Sequence, residues 1–232
     1  MFEREYIYMG IVIMGGTGTG KSTLAKIISI RTGYKLYEIG YVVKFSYLQK
    51  MKRDALDTYR NNQKALESIK KTYRENSKDY FTNKRLKYVN EMVKKNGNSY
   101  FINQLLKAHL NENIIIVGAR TFDEIKSVKQ YMKDPFFVGL VCNEDKLIKR
   151  FVNREYEYMN NNKAEKIFEK RRWTEKNWGV ENVLEICNII IETDNKRPNE
   201  IATQVLNEYR KFLNNKSKKI KGVENDRKRI IY

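Results

Sequence analysis

One stretch of the chain combines glycines, a lysine and hydroxyls at a spacing that suits phosphate chemistry. Gly15, Gly20, Lys21 and Ser22 form the pattern Gly-x4-Gly-Lys-Ser within GGTGTGKST. Glycines let the backbone turn with positive φ, so that successive amides point at a phosphate, and the lysine reaches the β- and γ-phosphates. A serine directly after the lysine supplies a hydroxyl ligand for Mg²⁺. We therefore predict a site for a nucleoside triphosphate with its metal ion.

The elements around this stretch are those that a phosphate-binding loop requires. It directly follows the apolar run 7–14 and opens the amphipathic segment KSTLAKIISI. A buried strand that leads through the loop into a helix is the confirming context, whereas a chance glycine-rich turn would not need it. The expected phosphate-contacting residues are Gly15, Gly16, Thr17, Gly18, Thr19, Gly20, Lys21, Ser22 and Thr23, and Ser22 is also the expected metal ligand.

Short β-branched runs separated by helical patterns predict the sheet that carries the loop. They span residues 7–14, 34–39, 113–118, 136–142 and 188–192. Polar and apolar residues scarcely alternate within them, which is typical of parallel strands that are buried on both faces. We expect a three-layer α/β fold of the P-loop NTPase type with about five parallel strands.

Two long helical segments interrupt the alternation of strands and helices. Residues 43–112 follow strand 2, and their apolar side chains recur at intervals of three and four residues, which predicts helices. The segment is much longer than one connection needs, so we expect a helical insert that binds the acceptor. Residues 144–178 follow strand 4, are rich in arginine and predict a helical lid. We expect one domain over 1–213 and a basic, flexible tail over 214–232.

Within the insert, the segment KKNGNS predicts a break between two helices. Asn96 and Gly97 are expected to end one helix, and Asn98 or Ser99 to cap the next.

Charge and cysteine content limit the function classes. The chain has 46 Lys and Arg against 28 Asp and Glu, a net charge of +18. This charge predicts attraction to polyanions, either through a nucleic-acid patch or through a diffusely basic surface. Cys142 and Cys187 lie far apart, so neither a disulfide framework nor a zinc site is expected. The first apolar run is too short for a membrane span, and we expect a cytoplasmic protein without membrane attachment.

The order of motifs resembles the P-loop nucleoside monophosphate kinase superfamily, particularly its adenylate-kinase-like and dephospho-coenzyme-A-kinase-like members. The matching segments are GGTGTGKST, EIGYVVK, IIIVGARTFDEIKSV, KRFVNRE and KRRWTEKNWGVENVLEICNIIIETDN, while a GTPase NKxD signature is absent. The resemblance implies a kinase that uses ATP and Mg²⁺ and transfers the γ-phosphoryl group to a nucleotide, nucleoside or coenzyme-A-like acceptor. It does not name that acceptor or the oligomeric state.

The resemblance also implies roles for cationic residues. Arg120 falls where the family's arginine after strand 3 approaches the acceptor phosphate, and a forked guanidinium can grip two phosphate oxygens. Arg150, Arg154, Arg171 and Arg172 fall where lid arginines stabilise charge on the transferring group. For each arginine, a solvated helix surface is the alternative. Residues 193–197 occupy the loop that is expected to line the adenine.

Two departures from the family pattern bear on activity. Val117 and Tyr41 stand where the family has aspartates. Glu38, at the end of strand 2, could supply the base or an outer-shell metal contact; alternatively it is a surface acid and the protein is a catalytically weak ATP-binding homologue. A nucleic-acid-associated ATP-binding protein or a polynucleotide kinase is the rival that the charge suggests.

For the remaining candidate site residues we expect mainly structural roles. His109 is expected to end a helix, with no catalytic role, while Trp173 and Trp178 either pack or stack on a base.

Overall fold

Five parallel strands form the centre of the molecule. The computed structural model describes residues 9–58, 78–155 and 161–229. The strands are β1 (Gly10–Gly15), β2 (Lys35–Glu38), β3 (Ile114–Val117), β4 (Pro135–Val141) and β5 (Ile189–Glu192). They lie in the order β2-β3-β1-β4-β5 and every pairing is parallel. The predicted three-layer α/β fold is confirmed.

Helices connect and cover the strands. The described helices are α1 (Lys21–Thr32), α2 (Ile39–Thr58), α3 (Lys78–Asn96), α4 (Tyr100–Ala108), α5 (Phe122–Tyr131), α6 (Glu144–Glu155), α7 (Asn161–Asn177) and α8 (Pro198–Arg229). A 3-10 helix, Asn182–Ile186, precedes β5. Among the described residues, no helix combines the length and the apolar character that a bilayer span requires.

Burial on both faces explains why the central strands β1 and β3 contain no charged side chain. All six residues of β1 and all four of β3 are buried. On one face, Ile11 and Ile13 pack with Ile28 of α1 and Val205 of α8. On the other face, Val12 and Met14 pack with residues from α4 and α5, among them Ile102, Leu105 and Ile125. The helices packed on both faces hold the sheet in place and so fix the position of the phosphate-binding loop, which follows the carboxyl end of β1.

The insert and the lid each have a small apolar cluster of their own. In the described part of the insert, Tyr47 of α2, Tyr88 of α3 and Phe101 of α4 pack together. In the lid, Phe151 of α6 and Phe168 of α7 lie 5.5 Å apart between ring centroids and are both buried. Each segment is therefore stabilised by contacts within itself as well as by contacts with the sheet.

The helix break in the insert lies where the sequence places it. α3 ends at Asn96, Gly97 has φ 88°, and Ser99 is the N-cap of α4. Asn98 instead donates a hydrogen bond to Asp123 at 2.9 Å.

The tail that the sequence predicts to be flexible continues the last helix. Residues 214–229 continue α8 as one helix. The segment is rich in lysine and holds no proline, a composition that permits a helix even where few apolar residues are present. The mobility of this tail stays a prediction.

Candidate functional site

The phosphate-binding loop starts where β1 ends, and its glycines have the conformations that only glycine adopts easily. Gly15, Gly18 and Gly20 have φ values of 134°, 88° and 90°. A Cβ on Gly15 would also collide with the carbonyl oxygen of Leu140 on the neighbouring β4. Positive φ and this close approach together explain why the chain needs glycine here.

Side chains of the loop fold back onto its own backbone. Lys21 Nζ donates to the carbonyl oxygen of Gly16 at 2.6 Å, and the buried Thr19 donates its hydroxyl to the same oxygen at 2.9 Å. α1 begins at Lys21 with Gly20 as its N-cap, which has no side chain to satisfy the first amides. Thr23 is exposed on the first turn of α1. Open amides at a helix start are suited to bind an anion.

Ser22 and Glu38 bring a hydroxyl and a carboxylate together beside the loop. Ser22 Oγ donates to Glu38 Oε2 at 3.0 Å. Glu38 is the last residue of β2, and the register pairs it with Val117 of β3. Hydroxyl and carboxylate oxygens are the ligands that Mg²⁺ prefers, and phosphate-bound Mg²⁺ is commonly held by only one or two protein groups. These two residues therefore fit a magnesium ion.

The positions that differ from the family pattern lie in contrasting surroundings. Val117 is 3% exposed, between Ile13 of β1 and Glu38 of β2. Tyr41 lies in the first turn of α2 with 64% of its surface exposed. Among the described residues, no group of three or more His, Cys, Asp or Glu side chains could hold a metal ion. Within the described residues, Ser22 and Glu38 therefore offer single oxygens to a metal ion and not a preformed cluster of ligands.

Arg120 is held in a structured turn after β3. Its backbone N–H donates to Glu124 Oε2 at 2.7 Å, and Thr121 and Glu124 form a capping box at the start of α5. Burial raises the pKa of Glu124, while the hydrogen bonds from Arg120 and Thr121 act in the opposite direction. The Arg120 guanidinium lies 5.2 Å from the ring centroid of Trp178 at the end of the lid. The pattern Thr-x-x-Glu carries a sequence signal for Glu124 that the site prediction missed.

The three lid arginines whose side chains the structure describes do not converge on one point. Arg150 donates to Thr193 Oγ1 and to the Thr193 carbonyl, at 3.2 and 3.1 Å, and so ties α6 to the loop after β5. Arg171 lies over the ring of Phe151, 5.1 Å from its centroid. Arg172 reaches the phosphate-binding loop, since a Cβ on Gly16 would lie 2.9 Å from Arg172 Nη1. The side chain of Arg154 lies outside the part that the structure describes.

Three carboxylates surround Arg172. Its Nε lies 3.6 Å from Glu144, its Nη1 lies 3.8 Å from Glu175, and its Nη2 lies 3.3 Å from Glu181. Two of these acids belong to the lid helices α6 and α7, and Glu181 follows α7. The predicted set of site residues did not contain any of them. Only the i,i+3 spacing of Arg172 and Glu175 carries a sequence signal.

Glu175 also binds the loop itself. Its Oε2 accepts the backbone N–H of Thr17 at 3.0 Å, and its Oε1 accepts the Thr17 hydroxyl at 2.6 Å. Glu175 is 4% exposed. On the other lid helix, the side chain of Leu147 would lie 3.2 Å from a Cβ on Gly18. Both lid helices are therefore packed against the loop.

The loop after β5 has an organised backbone. Asp194 accepts hydrogen bonds from Cys142 Sγ and from the Asn143 amide, both at 3.0 Å, and these bonds hold the pKa of Asp194 below its ordinary value. Burial raises the pKa of the Cys142 thiol. Lys146 donates to Asn195 at 2.9 Å. This loop and the start of α6 are thus cross-linked by polar contacts.

His109 lies away from the loop, as the sequence suggests. It is the C-cap of α4, stacks on Tyr37 with ring centroids 4.1 Å apart, and lies 3.3 Å from Glu112. Trp173 is 69% exposed on α7.

Comparisons with known proteins agree with this geometry. A family model described as an AAA domain matches residues 11–172. TT1252 from Thermus thermophilus is 13% identical, with a TM-score of 0.52 over 90% of this chain and 99% of that one. A gluconokinase from Sinorhizobium meliloti 1021 is 14% identical, with a TM-score of 0.51 over 92% of this chain and 98% of that one. No curated protein matches the chain. At these identities the solved structures establish the fold alone.

Proposed function

Because the chain belongs to the AAA domain family and has the fold of P-loop kinases, we propose that it is a phosphotransferase that uses ATP. The acceptor that we propose is a nucleotide, a nucleoside or a coenzyme-A-like molecule. The observation that carries the proposal is the hydrogen bond of 3.0 Å between Ser22 and Glu38, beside the start of α1, where Gly20 offers no side chain to the first amides. A carboxylate at this point supports transfer because it can help to hold Mg²⁺ and can accept the proton of an acceptor hydroxyl.

The proposed roles follow from the chemistry of each group. The loop amides and Lys21 hold the phosphates by hydrogen bonds and charge, and they act without reorganisation because β1 and α1 fix the loop. Ser22 and Glu38 would hold Mg²⁺, which neutralises charge between the phosphates when it is bound. Glu38 lies at the carboxyl end of β2, the edge at which acceptors bind in sheets of this type, and it accepts the proton of the acceptor hydroxyl.

The acceptor and the transition state need cationic groups. Arg120 binds the acceptor phosphate, and its cation–π contact with Trp178 couples this site to the lid. Arg154, Arg171 and Arg172 belong to the lid and stabilise the charge on the transferring phosphoryl group; of these, Arg172 has the strongest support because it already lies over Gly16. The lid also excludes water from the site.

A thermal-shift screen followed by a transfer assay tests this proposal. The full chain is incubated with a non-hydrolysable ATP analogue and with nucleoside monophosphates, nucleosides or dephospho-coenzyme A. An acceptor should raise Tm further than the analogue alone, because ligands that bind only the folded state stabilise it. That acceptor should then take up label from γ-labelled ATP in the presence of Mg²⁺. If the analogue raises Tm but no acceptor is labelled, the phosphotransferase proposal fails.

The net charge of +18 favours a second candidate, a nucleic-acid-associated ATP-binding protein or a polynucleotide kinase. A salt titration of DNA and RNA binding separates the two. Several phosphate contacts give a steep fall of log affinity with log salt, whereas weak attachment with a shallow slope supports the small-molecule kinase.

A further inference from the structure

The contact between Glu175 and Thr17 places an acid on a loop that is built to bind anions. Glu175 uses both carboxylate oxygens, one on the Thr17 amide and one on the Thr17 hydroxyl, at 3.0 and 2.6 Å. Backbone amides of this loop are the groups that bind phosphate oxygens. A carboxylate is the side chain that most resembles a phosphate in charge and in hydrogen bonding, so Glu175 already satisfies part of the loop's capacity for anions.

The surroundings of Glu175 are acidic, although the chain as a whole is strongly basic. The chain carries a net charge of +18, yet Arg172 is surrounded by Glu144, Glu175 and Glu181. This group of four side chains carries one positive and three negative charges. A phosphate that approaches Thr17 beside Arg172 therefore meets the negative charge of Glu175, which solvent screens little because Glu175 is buried.

Arg172 is attracted to these acids but is not closely bonded by them. Its contacts with Glu144 and Glu175 are 3.6 and 3.8 Å, and the hydrogen bond to Glu181 is a long 3.3 Å. Its Nε is buried and has no hydrogen-bond partner among the described residues. A buried guanidinium donor without a partner costs free energy, so a phosphate oxygen would bind Arg172 better than the present acids do.

We propose that Glu175 is an internal competitor of the nucleotide. Its carboxylate holds Thr17 and keeps the lid helix α7 on the loop until a polyphosphate displaces it, and the displacement leaves Arg172 available for phosphate. This inference rests on the proposed function, because it assumes that the loop binds a nucleoside triphosphate. If Glu175 competes with the nucleotide, removal of its charge should strengthen nucleotide binding. If the contact is purely structural, removal of the charge should not strengthen binding.

The test compares two variants that each remove one negative charge beside Arg172. Glu175→Gln keeps the shape of the side chain. Glu181→Gln changes an acid whose side chain is 59% exposed and which contacts Arg172 but, among the described residues, does not bond to the loop. Kd for a non-hydrolysable ATP analogue with Mg²⁺, and for tripolyphosphate, is measured by calorimetry on the full chain. Glu175→Gln should lower both Kd values about tenfold, because hydrogen bonds to a charged group are roughly twice as strong as neutral ones. Glu181→Gln should change them by less than about twofold, since exposed ion pairs contribute little.

A second measurement uses the wild-type chain, in case Glu175→Gln does not fold. The two tryptophans of the chain, Trp173 and Trp178, lie within three residues of Glu175. Displacement of Glu175 should change their emission with the same midpoint as binding. Unchanged emission at saturating tripolyphosphate overturns the inference.

The outcomes separate the inference from the proposed function. If the wild type binds the ATP analogue and a folded Glu175→Gln variant binds it equally or more weakly, the inference that Glu175 competes is wrong and the proposed function stands. If only tripolyphosphate binds, and the Glu175→Gln variant binds it more tightly, the inference that Glu175 competes is supported and the ATP proposal fails. If neither probe binds either protein, both are wrong.

Discussion

Two carboxylates contact the phosphate-binding loop, and they come from different regions of the molecule. Glu38 belongs to the sheet and accepts the hydroxyl of Ser22 at 3.0 Å. Glu175 belongs to the lid and binds Thr17, at the other side of the loop. Glu38 is placed by strand register, since β2 pairs with β3 from Lys35 to Glu38. Glu175 is placed by the packing of a peripheral helix pair.

Because Glu38 and Glu175 are held by different parts of the fold, we expect them to have different functions. Although β2 is the edge strand, its ladder with the buried strand β3 holds Glu38 against the central sheet, so Glu38 is suited to hold a fixed geometry for chemistry. The lid rests on a small cluster around Phe151 and Phe168, and segments of this kind open at lower free energy than a central sheet. Glu175 is accordingly suited to a contact that is made and broken.

Lys21→Ala should have the largest effect, because it removes the positive charge that we propose holds the β- and γ-phosphates. We expect affinity for ATP with Mg²⁺, or the transfer rate, to fall about 10²- to 10³-fold, as when a preorganised charge-stabilising donor is lost. Calorimetry and the labelled-ATP assay measure this. Lys26→Ala, an exposed lysine on the same helix α1, is the matched control and should leave both unchanged. Unaltered binding and turnover in a folded Lys21→Ala protein would contradict the assignment of the loop.

Glu38→Gln should have the next largest effect and, unlike Glu175→Gln, it should act on the transfer rate. The variant keeps an oxygen for Ser22 but loses the charge and the proton-accepting capacity, so transfer should slow about 10²-fold. Kd for the ATP analogue with Mg²⁺ should rise by no more than about threefold, because Ser22, the phosphates and water remain as ligands of the ion. Turnover equal to the wild type would assign Glu38 to the surface and remove the contrast between the two acids.

Arg120→Ala tests whether the acceptor site is independent of both carboxylates. We expect KM for the acceptor to rise about tenfold or more, because a charge-assisted contact to phosphate is lost, while KM for ATP is unchanged.

Trp178→Leu should give a smaller rise in the same constant, about two- to fivefold, since an exposed cation–π contact contributes about 0.5–1 kcal/mol. Trp173→Leu, at the more exposed tryptophan, serves as the control. Equal effects on the ATP and acceptor constants would contradict the role of Arg120.

Phe168→Leu should have the smallest effect. It tests whether the apolar cluster of the lid holds Glu175 in place, without a change to Glu175 or Glu38. We expect a loss of about 1–1.5 kcal/mol in stability, which lowers Tm by about 2–6 °C. Hydrogen exchange should rise in residues 144–178 and not in β1 or β2. Ile28→Val, a comparable deletion under the sheet, should lower Tm to a similar degree without this local increase. Equal exchange profiles would indicate that the lid and the sheet unfold as one unit.

Much of the fold could be predicted because its signals are local. Four of the five strands contain β-branched residues, and glycine at the turns of the loop indicates a backbone with positive φ. Glu38 could be proposed as a site residue because the ends of parallel strands meet at one edge of the sheet. The helical form of residues 214–229 was not expected, since low apolar content argues against packing rather than against helix.

The lid shows where local signals are insufficient. Arg171 and Arg172 are neighbours in the sequence with the same charge, yet one lies over Phe151 and the other over Gly16. Successive residues of a helix point about 100° apart, so only the rotation of the packed helix decides which arginine faces the loop.

The sequence by itself determined the loop, the strands and the residues capable of phosphate chemistry, because these depend on residue types within a few positions of one another. The tertiary structure alone decided that Glu175 binds Thr17, across a separation of 158 residues. Contacts of this range depend on how two layers pack, and many packings are compatible with one helical pattern. That packing is why an acid that the sequence left among ordinary helix residues lies on the phosphate-binding loop.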